Sequence, residues 1–485
     1  MLFEANNVDS GSAAKLQAAN VSAKELISLM KQAIGAREAT TLEGSVESTE
    51  SYYKMIQQFA TIAQTYRDLI PPEYDVSSIL ALADFILSLE FAEFLKIAVN
   101  LPLLVDGIIL QDKTASLPEA EIDLSWETTI EELSRRLPDE IDLTDSSQDR
   151  VIFAAATDLL NDYPDISTLQ NLDQWLTSSP ESFKDAMLLV AKLALSRIHV
   201  KRLAAPLHVS VVLAMYNEHN RILPKSDDNP SGEDFVRRKV KQMEWLLQDS
   251  PASFALILVD DGCPKQSGKI AQQIIESEGY RNVKLLHLED AIKCQLPIVS
   301  GIKTTSDSRK GGSIQYGMWQ ALQDYTEGDN QHVVVFTDAD MAAPLNEIGL
   351  LLGKLDDKTM VAIGSRYDAG SVCRGPWGKN GKVQGLTDFD RLMVGLRSFL
   401  FSKLFPQTGH ITDTQCGLKC FKAELLRTIL PKTQVRTFSF DIELLLLAAA
   451  AGSVIASVPI YWHDSLAESN FWRQAAASQA AAGSH

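Results

Sequence analysis

The chain has 485 residues, of which 45% are hydrophobic and 22% are charged, and its formal net charge is -18. This length and balance predict a globular protein of about two or three domains. The acidic balance argues against nucleic acid as a partner, because polyanions attract clusters of Lys and Arg. No run of about eighteen uncharged apolar residues occurs, and the first residues lack the layout of a signal peptide. We therefore expect a cytoplasmic protein and leave a peripheral position at a membrane open.

The acidic residues are concentrated in the first part of the chain. Residues 1–205 carry 16 Lys and Arg against 32 Asp and Glu, whereas the remaining residues carry 29 against 31. This asymmetry predicts two units with different surfaces, an all-α acidic domain over residues 1–205 and a second domain over residues 206–474. The final stretch, residues 475–485, resembles a small-residue linker that runs into the remnant of an affinity tag.

Apolar residues recur every three or four positions in the first half, which is typical of packed helices. The clearest examples are SAKELISLMKQAIG, ESYYKMIQQFATIAQTYRDLI and SSILALADFILSLEFAEFLKIAV. Residues 79–110 are apolar, but five charged residues interrupt them, and charges at a bilayer centre are unfavourable. We expect buried core helices there rather than a membrane span, with an interfacial helix as the alternative. The role of this acidic domain stays open, and a protein partner or a basic surface could bind it.

After residue 207 the pattern changes to short runs of aliphatic and β-branched residues. HVSVVLAMYNE, ASFALILVDDG, NVKLLHL and HVVVFTDAD alternate with amphipathic stretches such as EDFVRRKVKQMEWLLQ. Strands that alternate with helices predict an α/β domain with a mostly parallel sheet covered by helices.

Two of these runs end in pairs of carboxylates. Asp260 and Asp261 follow one run, and Asp338 and Asp340 follow another. Such sheets bind their ligands at the carboxyl ends of the strands, so we expect both pairs in one site. The Asp-x-Asp spacing offers oxygen ligands, which suit Mg²⁺ or Mn²⁺. By itself, this spacing is also common in solvated loops.

An ordered set of motifs is more specific than any one of them. In chain order these are MYNE, LVDDG, RKGGSIQYGMWQAL, VVVFTDADM, AIGSRY, DTQCGLKCF, FSFDIELLLLAAAAG and VPIYWHD. Together they resemble glycosyltransferase family 2, the inverting nucleotide-sugar enzymes of GT-A fold, over about residues 208–465. Within that family, KGGSIQYGM, DTQCGLKCF and FDIELL are most similar to dolichyl-phosphate glucosyltransferase, followed by dolichyl-phosphate mannose synthase. The resemblance implies a GT-A domain with a Rossmann-like, mostly parallel sheet.

The resemblance also implies a donor site for a nucleoside-diphosphate sugar such as UDP-glucose or GDP-mannose. Its residues would be Tyr216, Asn217, Glu218, Asp260, Asp261, Lys310, Asp338, Arg366, Arg391 and Arg397. The Arg residues would meet the charge of the diphosphate or of a phosphate acceptor. The implied metal ligands are Asp338, Asp340 and His463, with Mg²⁺ or Mn²⁺ as the cofactor. The two glycines after Lys310 would let the backbone approach the nucleotide closely.

On the acceptor side, the resemblance points to Asp413, Asp441 and Glu443 as catalytic candidates. A hydroxyl nucleophile needs a carboxylate base within hydrogen-bond reach, whereas a phosphate nucleophile needs none. Asp441 begins an apolar helix, where a carboxylate is also favoured by the helix N-terminus alone. The role of each acid therefore stays open at this point.

The expected reaction is transfer of a hexose, glucose or mannose, with inversion, to a polyprenyl phosphate or another acceptor. Two departures from the family leave the acceptor open. Trp462 is not followed by the Gly-Ser-Lys cluster of the nearest relatives, and the stretch NEHNRILPKSDDNPSGEDFVRRK is longer than the usual first loop. The alternatives are a soluble acceptor, which could be a small molecule, a glycan or a protein, and an acidic scaffold fused to a weakly active transferase. A nucleotidyltransferase is disfavoured, since no Gly-rich phosphate loop follows the first strand.

Overall fold

The structure, a computed structural model, divides into two compact units. It describes residues 21–35, 46–104, 125–178, 182–308, 310–325, 331–374, 396–397 and 399–463. The first unit consists of residues 1–116, 373–412 and 466–485, and the second of residues 117–372 and 413–465. The candidate site lies in the second unit.

The first unit is built from helices with apolar faces. These are α1 (Ala23–Gly35), α2 (Val46–Thr65), α3 (Val76–Ser88) and α4 (Phe91–Leu104). Asp75 caps α3 by accepting a hydrogen bond from the Ser78 N–H at 3.1 Å. Phe59 of α2 packs with its ring centroid 5.7 Å from that of Phe401, which belongs to the same unit. The predicted helices of residues 22–99 are present, and none of the helices described is long and apolar enough to cross a membrane.

The second unit begins with four more helices: α5 (Ser125–Arg136), α6 (Asp149–Asp162), α7 (Ile166–Ser178) and α8 (Asp185–Lys201). Nearly every residue of α8 between Ala186 and Val200 is buried. The Ser196 hydroxyl donates to the Asn346 carbonyl oxygen at 2.6 Å. A Cβ added to Gly349 would lie 2.1 Å from the Ser196 carbonyl oxygen, so only glycine permits this close approach of α8.

The predicted domain boundary at residue 205 does not coincide with this division. Residues 117–205, which we expected in the acidic domain, belong to the unit that contains the sheet. Conversely, residues 373–412 belong to the first unit. The physical reason is that α8 is buried on all faces and completes the core of the sheet unit. Hydrophobic periodicity predicts that a helix is buried, but not which element buries it.

The second unit contains a seven-stranded sheet. Its strands are β1 (Leu207–Met215), β2 (Ala252–Asp260), β3 (Val283–His287), β4 (Gln331–Phe336), β5 (Thr359–Ser365), β7 (Lys419–Lys422) and β8 (Val454–Pro459), in the order β3-β2-β1-β4-β7-β5-β8. All neighbouring pairs are parallel except those that β7 makes with β4 and β5. Two short strands are β6 (Val372–Arg374) and β9 (Tyr461–His463). The predicted α/β class with a mostly parallel sheet is confirmed.

Helices cover the sheet and join its strands. They are α9 (Phe235–Leu247), α10 (Ser267–Glu278), α11 (Leu288–Lys293), α12 (Gly311–Asp324), α13 (Ile348–Leu352), α14 (Ala423–Ile429) and α15 (Phe440–Ala450). Val209, Val211, Val212 and Leu213 of β1 are all fully buried, as expected of a parallel strand with covered faces. A Cβ at Gly317 of α12 would lie 2.4 Å from Val212 Cγ1, so this helix packs directly on the central strands.

Candidate active site

The acids predicted at the strand ends lie at one edge of the sheet. Met215, the last residue of β1, is in register with Asp260, the last residue of β2. The Asp261 N–H donates to the Met215 carbonyl oxygen at 3.0 Å. β4 is parallel to β1 and leads into Asp338 and Asp340 at the same edge. The buried apolar strands thus end at the edge of the sheet where these charged side chains lie.

The loop after β1 carries an exposed aromatic ring and a buried ion pair. Tyr216 is 47% exposed. Asn217 adopts a left-handed backbone conformation, with φ of 61°, and its N–H donates to Cys263 Sγ at 3.3 Å. Glu218 is buried and accepts two hydrogen bonds from the Arg221 guanidinium, at 2.6 and 2.7 Å. Tyr216, Asn217 and Glu218 are predicted site residues, whereas Arg221 is not among the predicted residues.

Asp260 and Asp261 shape the backbone around the site. Asp260 Oδ1 accepts the Cys263 N–H at 2.8 Å. Asp261 accepts the Lys310 N–H at 2.9 Å and the Ser313 hydroxyl at 2.7 Å. Burial raises the pKa of the Asp261 carboxyl, although these hydrogen bonds oppose the rise. Asp261 therefore fixes the backbone turn at Lys310, in the part of the site predicted to contact the nucleoside.

Lys310 starts α12 in a strained conformation, with φ of 77°, and its ammonium group pairs with Asp338. Burial opposes ionisation of Asp338, but the charge and hydrogen bond of Lys310, together with other nearby lysines, outweigh it and lower the pKa of this carboxyl. A Cβ added to Gly417 would lie 2.0 Å from Asp338 Oδ2. The glycine of DTQCGLK therefore leaves the room that the Asp338 carboxylate occupies.

Asp340 lies among charged groups that are not among the predicted site residues. Arg221 Nη1 is 3.5 Å from Asp340 Oδ2. Glu233 accepts the Met341 N–H at 2.9 Å, and burial together with the charge of Asp340 raises the pKa of Glu233 to about 7. Lys239 is fully buried, and its Nζ has no hydrogen-bond partner within the described ranges. Burial lowers the pKa of Lys239 to about 8, although Asp340 opposes this.

The side chains of Asp338 and Asp340 could hold a divalent cation whose remaining ligands come from a bound phosphate and from water. Across the described part of the chain, no group of three or more His, Cys, Asp or Glu side chains could hold a metal ion by itself. Mg²⁺ is usually held by one or two carboxylates together with phosphate oxygens and water, so two acids are enough. His463 is brought beside the loop after Asp340, because its N–H donates to the Ala342 carbonyl oxygen at 2.9 Å. The carboxylate oxygens of Asp338 and Asp340 are the donors that Mg²⁺ and Mn²⁺ prefer, which matches the predicted cofactor.

Asp413 forms a buried ion pair with Arg366. Its carboxylate accepts hydrogen bonds from the Arg366 N–H, Nε and Nη2 at 3.0, 2.7 and 2.8 Å, and its side chain is 1% exposed. The guanidinium also lies 5.0 Å from the ring centroid of Trp462. Burial disfavours the charged carboxylate, but Arg366 outweighs it and lowers the pKa of Asp413. In this arrangement each partner satisfies the other rather than a ligand.

Asp441 and Glu443 are also engaged by neighbouring donors. Lys419 Nζ lies 3.2 Å from Asp441, whose pKa is raised by burial. Glu443 is fully buried and accepts the N–H groups of Gln434 and Val435 at 2.6 and 3.1 Å. The same loop meets the start of α12. The geometry therefore gives Glu443 the role of a loop anchor.

For two predicted Arg residues, the role in the site stays a prediction. Arg391 lies outside the described residues, and Arg397 belongs to the first unit. The missed residues Arg221, Glu233 and Lys239 all lie in the long stretch after β1 or at the start of α9. Its unusual length was the available signal, but charge in a loop indicates solvent exposure as readily as burial.

Comparison with curated proteins identifies relatives of this chain. It is 28% identical over 270 residues to the dolichyl-phosphate β-glucosyltransferase of Dictyostelium discoideum. It is 25% identical over 267 residues to the Saccharomyces cerevisiae protein of the same name. Each match covers 53% of this chain and 67% of the relative. No family model matches the chain.

Among solved structures, the chain matches glucosyl-3-phosphoglycerate synthase from Mycobacterium tuberculosis, in complex with Mn²⁺, UDP and glucosyl-3-phosphoglycerate. The identity is 18% and the TM-score 0.36, with 60% of this chain and 83% of that chain covered. This likeness is too low to carry an argument. The curated relatives, however, are dolichyl-phosphate β-glucosyltransferases, and they confirm the predicted resemblance of this chain to glycosyltransferase family 2.

Proposed function

We propose that the protein is a metal-dependent glycosyltransferase that moves a hexose from a nucleoside-diphosphate sugar to a polyprenyl phosphate. One observation carries this proposal: Asp261, Asp338, Asp340 and Lys310 meet where the parallel strands end. That edge is where α/β sheets bind their ligands. The names of the curated relatives support the same reaction class.

On the donor side, the exposed ring of Tyr216 offers a face on which a nucleobase can stack. Asp260 and Asp261 would face the base and the ribose. Asp338 and Asp340 would hold the divalent cation, which neutralises the charge of the diphosphate as it leaves. Lys310, held by Asp261 and Asp338, would place a further positive charge beside the diphosphate.

The acceptor side supports a phosphate nucleophile. Asp413, Asp441 and Glu443 are 1%, 6% and 0% exposed, and each accepts hydrogen bonds from neighbouring cations or backbone groups. A hydroxyl nucleophile would need one of them as a base. A phosphate is ionised at neutral pH and attacks without a base, so these buried acids can remain structural. Direct attack opposite the leaving diphosphate would invert the anomeric centre.

Glucose is the sugar that we favour, with mannose as the alternative, because the relatives are glucosyltransferases by name. A polyprenyl phosphate resides in a membrane, so we place the working protein at the cytoplasmic surface of one. The predicted protein partner of the acidic region stays a prediction.

Thermal unfolding tests the donor site first. The protein is heated with UDP, GDP, CDP or dTDP, each with Mn²⁺ and with a chelator. A ligand that binds only the native state raises the melting temperature. We expect an increase with UDP that requires Mn²⁺. The absence of an increase with all four nucleotides would contradict the proposed donor site.

A transfer assay then tests the acceptor. Radiolabelled UDP-glucose or GDP-mannose is incubated with dolichyl phosphate, with dolichol as the matched control that lacks the phosphate. We expect label on dolichyl phosphate alone. A β-linked product from the α-linked donor would establish inversion. Label on dolichol, or transfer only to a soluble acceptor, would contradict the proposed nucleophile.

A further inference from the structure

The stretch between β1 and α9 is contacted by a segment that does not belong to the sheet, namely the connection between α5 and α6. We call residues 216–234 the first loop and residues 139–149, with the sequence DEIDLTDSSQD, the acidic clasp. The clasp joins α5 to the start of α6, and both segments belong to the second unit. The proposed reaction assigns no role to the clasp.

Arg238 at the start of α9 forms the main contact with the clasp. Its guanidinium lies 2.6 and 2.8 Å from the two carboxylate oxygens of Asp149, and it donates to the Leu143 carbonyl oxygen at 2.7 Å. The Arg238 side chain is only 2% exposed, and that of Asp149 is 19% exposed. A second contact holds the loop itself, since Lys225 Nζ donates to Asp142 at 2.8 Å and to Thr144 at 2.9 Å.

The two ends of the first loop are fastened together. The Glu233 N–H donates to the Arg221 carbonyl oxygen at 3.1 Å, and the Asp234 N–H donates to the Leu223 carbonyl oxygen at 3.0 Å. A Cβ added to Gly232 would lie 2.3 Å from the Pro224 carbonyl oxygen, so the two halves of the loop are in close contact at this point. Because its two ends are bonded to each other, we expect the first loop to shift as a unit when the contacts of Arg238 and Lys225 with the clasp change.

The first loop also contacts the segment that contains Asp340. Arg221 contributes the guanidinium 3.5 Å from the Asp340 carboxylate, and Glu233 accepts the Met341 N–H at 2.9 Å. The loop thus supports the backbone and the charge of the Asp-x-Asp segment.

We propose that the acidic clasp is a positioning element of the donor site, with Asp149 and Arg238 as its positioning residues. They hold α9 and the first loop so that Arg221 and Glu233 fix the segment of residues 338–341. The inference rests on the proposed function in one respect, namely that Asp340 serves the donor. It gives part of the helical region a role in binding the nucleoside diphosphate.

The energetics favour such coupling. When one partner of a buried ion pair is removed, the other is left charged and without a counterion, so the surrounding structure shifts to rehydrate it. In this case the structure that can shift is the start of α9 and the loop before it. A ligand site whose groups are no longer held in place loses affinity, because binding must then order them.

The test compares Asp149→Ala with Asp158→Ala. Both residues lie on α6, and Asp158 forms an exposed ion pair with Arg136 of α5 rather than with α9 or the first loop. Hydrogen exchange is measured for peptides spanning residues 337–345 in the metal-free protein. The Kd for UDP with Mn²⁺ is measured on the same samples. We expect Asp149→Ala to speed exchange in these peptides and to raise the Kd, each about tenfold, and Asp158→Ala to change neither by more than about twofold.

The two readouts separate the two proposals. If wild-type protein does not bind UDP with Mn²⁺, the proposed function is contradicted, while the exchange data still decide the inference. Faster exchange confined to α6 and α9, with residues 337–345 unchanged, would overturn the positioning role and leave Asp149 a purely structural residue. If Asp149→Ala does not fold, Asp149→Asn replaces it, and unchanged exchange at residues 337–345 in that folded variant overturns the inference equally.

Discussion

Asp340 and the acids predicted on the acceptor side have different surroundings. Near Asp340, Lys239 Nζ has no hydrogen-bond partner among the residues described, and Arg221, which pairs closely with Glu218, lies 3.5 Å away. On the acceptor side, Asp413 receives three hydrogen bonds from Arg366, and Glu443 receives backbone N–H groups from a neighbouring loop. Asp340 follows β4 and Glu443 lies in the first turn of α15, whereas Asp413 lies in the segment before β7.

The difference shows how a binding carboxylate can be distinguished from a structural one. A buried acid whose oxygens are already satisfied lowers the energy of the fold and has little left to offer a ligand. An acid held near unmatched charge has oxygens to share with a cation or a phosphate. We therefore expect substitution of Asp413 or Glu443 to affect stability first, and substitution of Asp340 to affect binding first.

The largest expected effect is on stability, from Asp413→Ala. This change leaves Arg366 charged and buried without its counterion, and breaking such a pair costs about 3–5 kcal/mol. Urea unfolding measures the loss. Asp357→Ala is the control, because that side chain is fully exposed and 4.0 Å from Lys422. Unchanged stability combined with lost transfer would instead assign Asp413 the role of the catalytic base.

Asp340→Ala tests the donor side. We expect at least about a hundredfold weaker binding of UDP with Mn²⁺, equivalent to about 2.7 kcal/mol, with little change in melting temperature. The affinity is measured by calorimetry with Mn²⁺ and with chelator. Asp324→Ala, which removes half of an exposed ion pair with Lys284, should bind like wild type. Equal Mn²⁺-dependent affinity in Asp340→Ala would contradict the metal assignment.

Glu443→Gln should have an intermediate effect. Glutamine keeps the size of the side chain but weakens the hydrogen bonds from the Gln434 and Val435 N–H groups, a loss of about 1.5–3 kcal/mol. Urea unfolding again measures it, with the exposed Glu424→Gln as control. A stable variant with abolished transfer would place Glu443 among the catalytic groups.

The smallest effect near neutral pH concerns the opposite end of β4. Burial lowers the pKa of His332 to about 3, and its Nε2 lies 3.0 Å from the Ser210 hydroxyl. The unfolded chain binds a proton below about pH 6.5, whereas the folded protein binds it only near pH 3. The free energy of unfolding should therefore fall as the pH drops through this window, by at most about 1.4 kcal/mol per pH unit.

His332→Gln should flatten this acid limb, which urea unfolding at several pH values would measure. The exposed His410 supplies the control, and His410→Gln should keep the wild-type slope. An identical slope in His332→Gln would assign the acid sensitivity to other groups.

Local patterns predicted the strands and the edge at which their acids meet. Apolar runs such as HVVVF are long enough to specify a buried strand, and parallel pairing then sends Asp261 and Asp338 to the same side. That residues 117–205 belong to the unit with the sheet could not be predicted in this way, because α8 is buried against the 345–353 segment, far along the chain. The role of Arg221 was missed for a similar reason, since its partner Asp340 is distant in sequence.

The sequence by itself determined the α/β class, the order of the motifs and the carboxylates at the strand ends. These follow from hydrophobic periodicity and from residues close together in the chain. Only the tertiary structure decided which carboxylates are already satisfied, as Asp413 is by Arg366, and which lie near unmatched charge, as Asp340 does beside Lys239. The physical reason is that the energy of a buried charge depends on its partners, and folding brings those partners from distant positions in the chain.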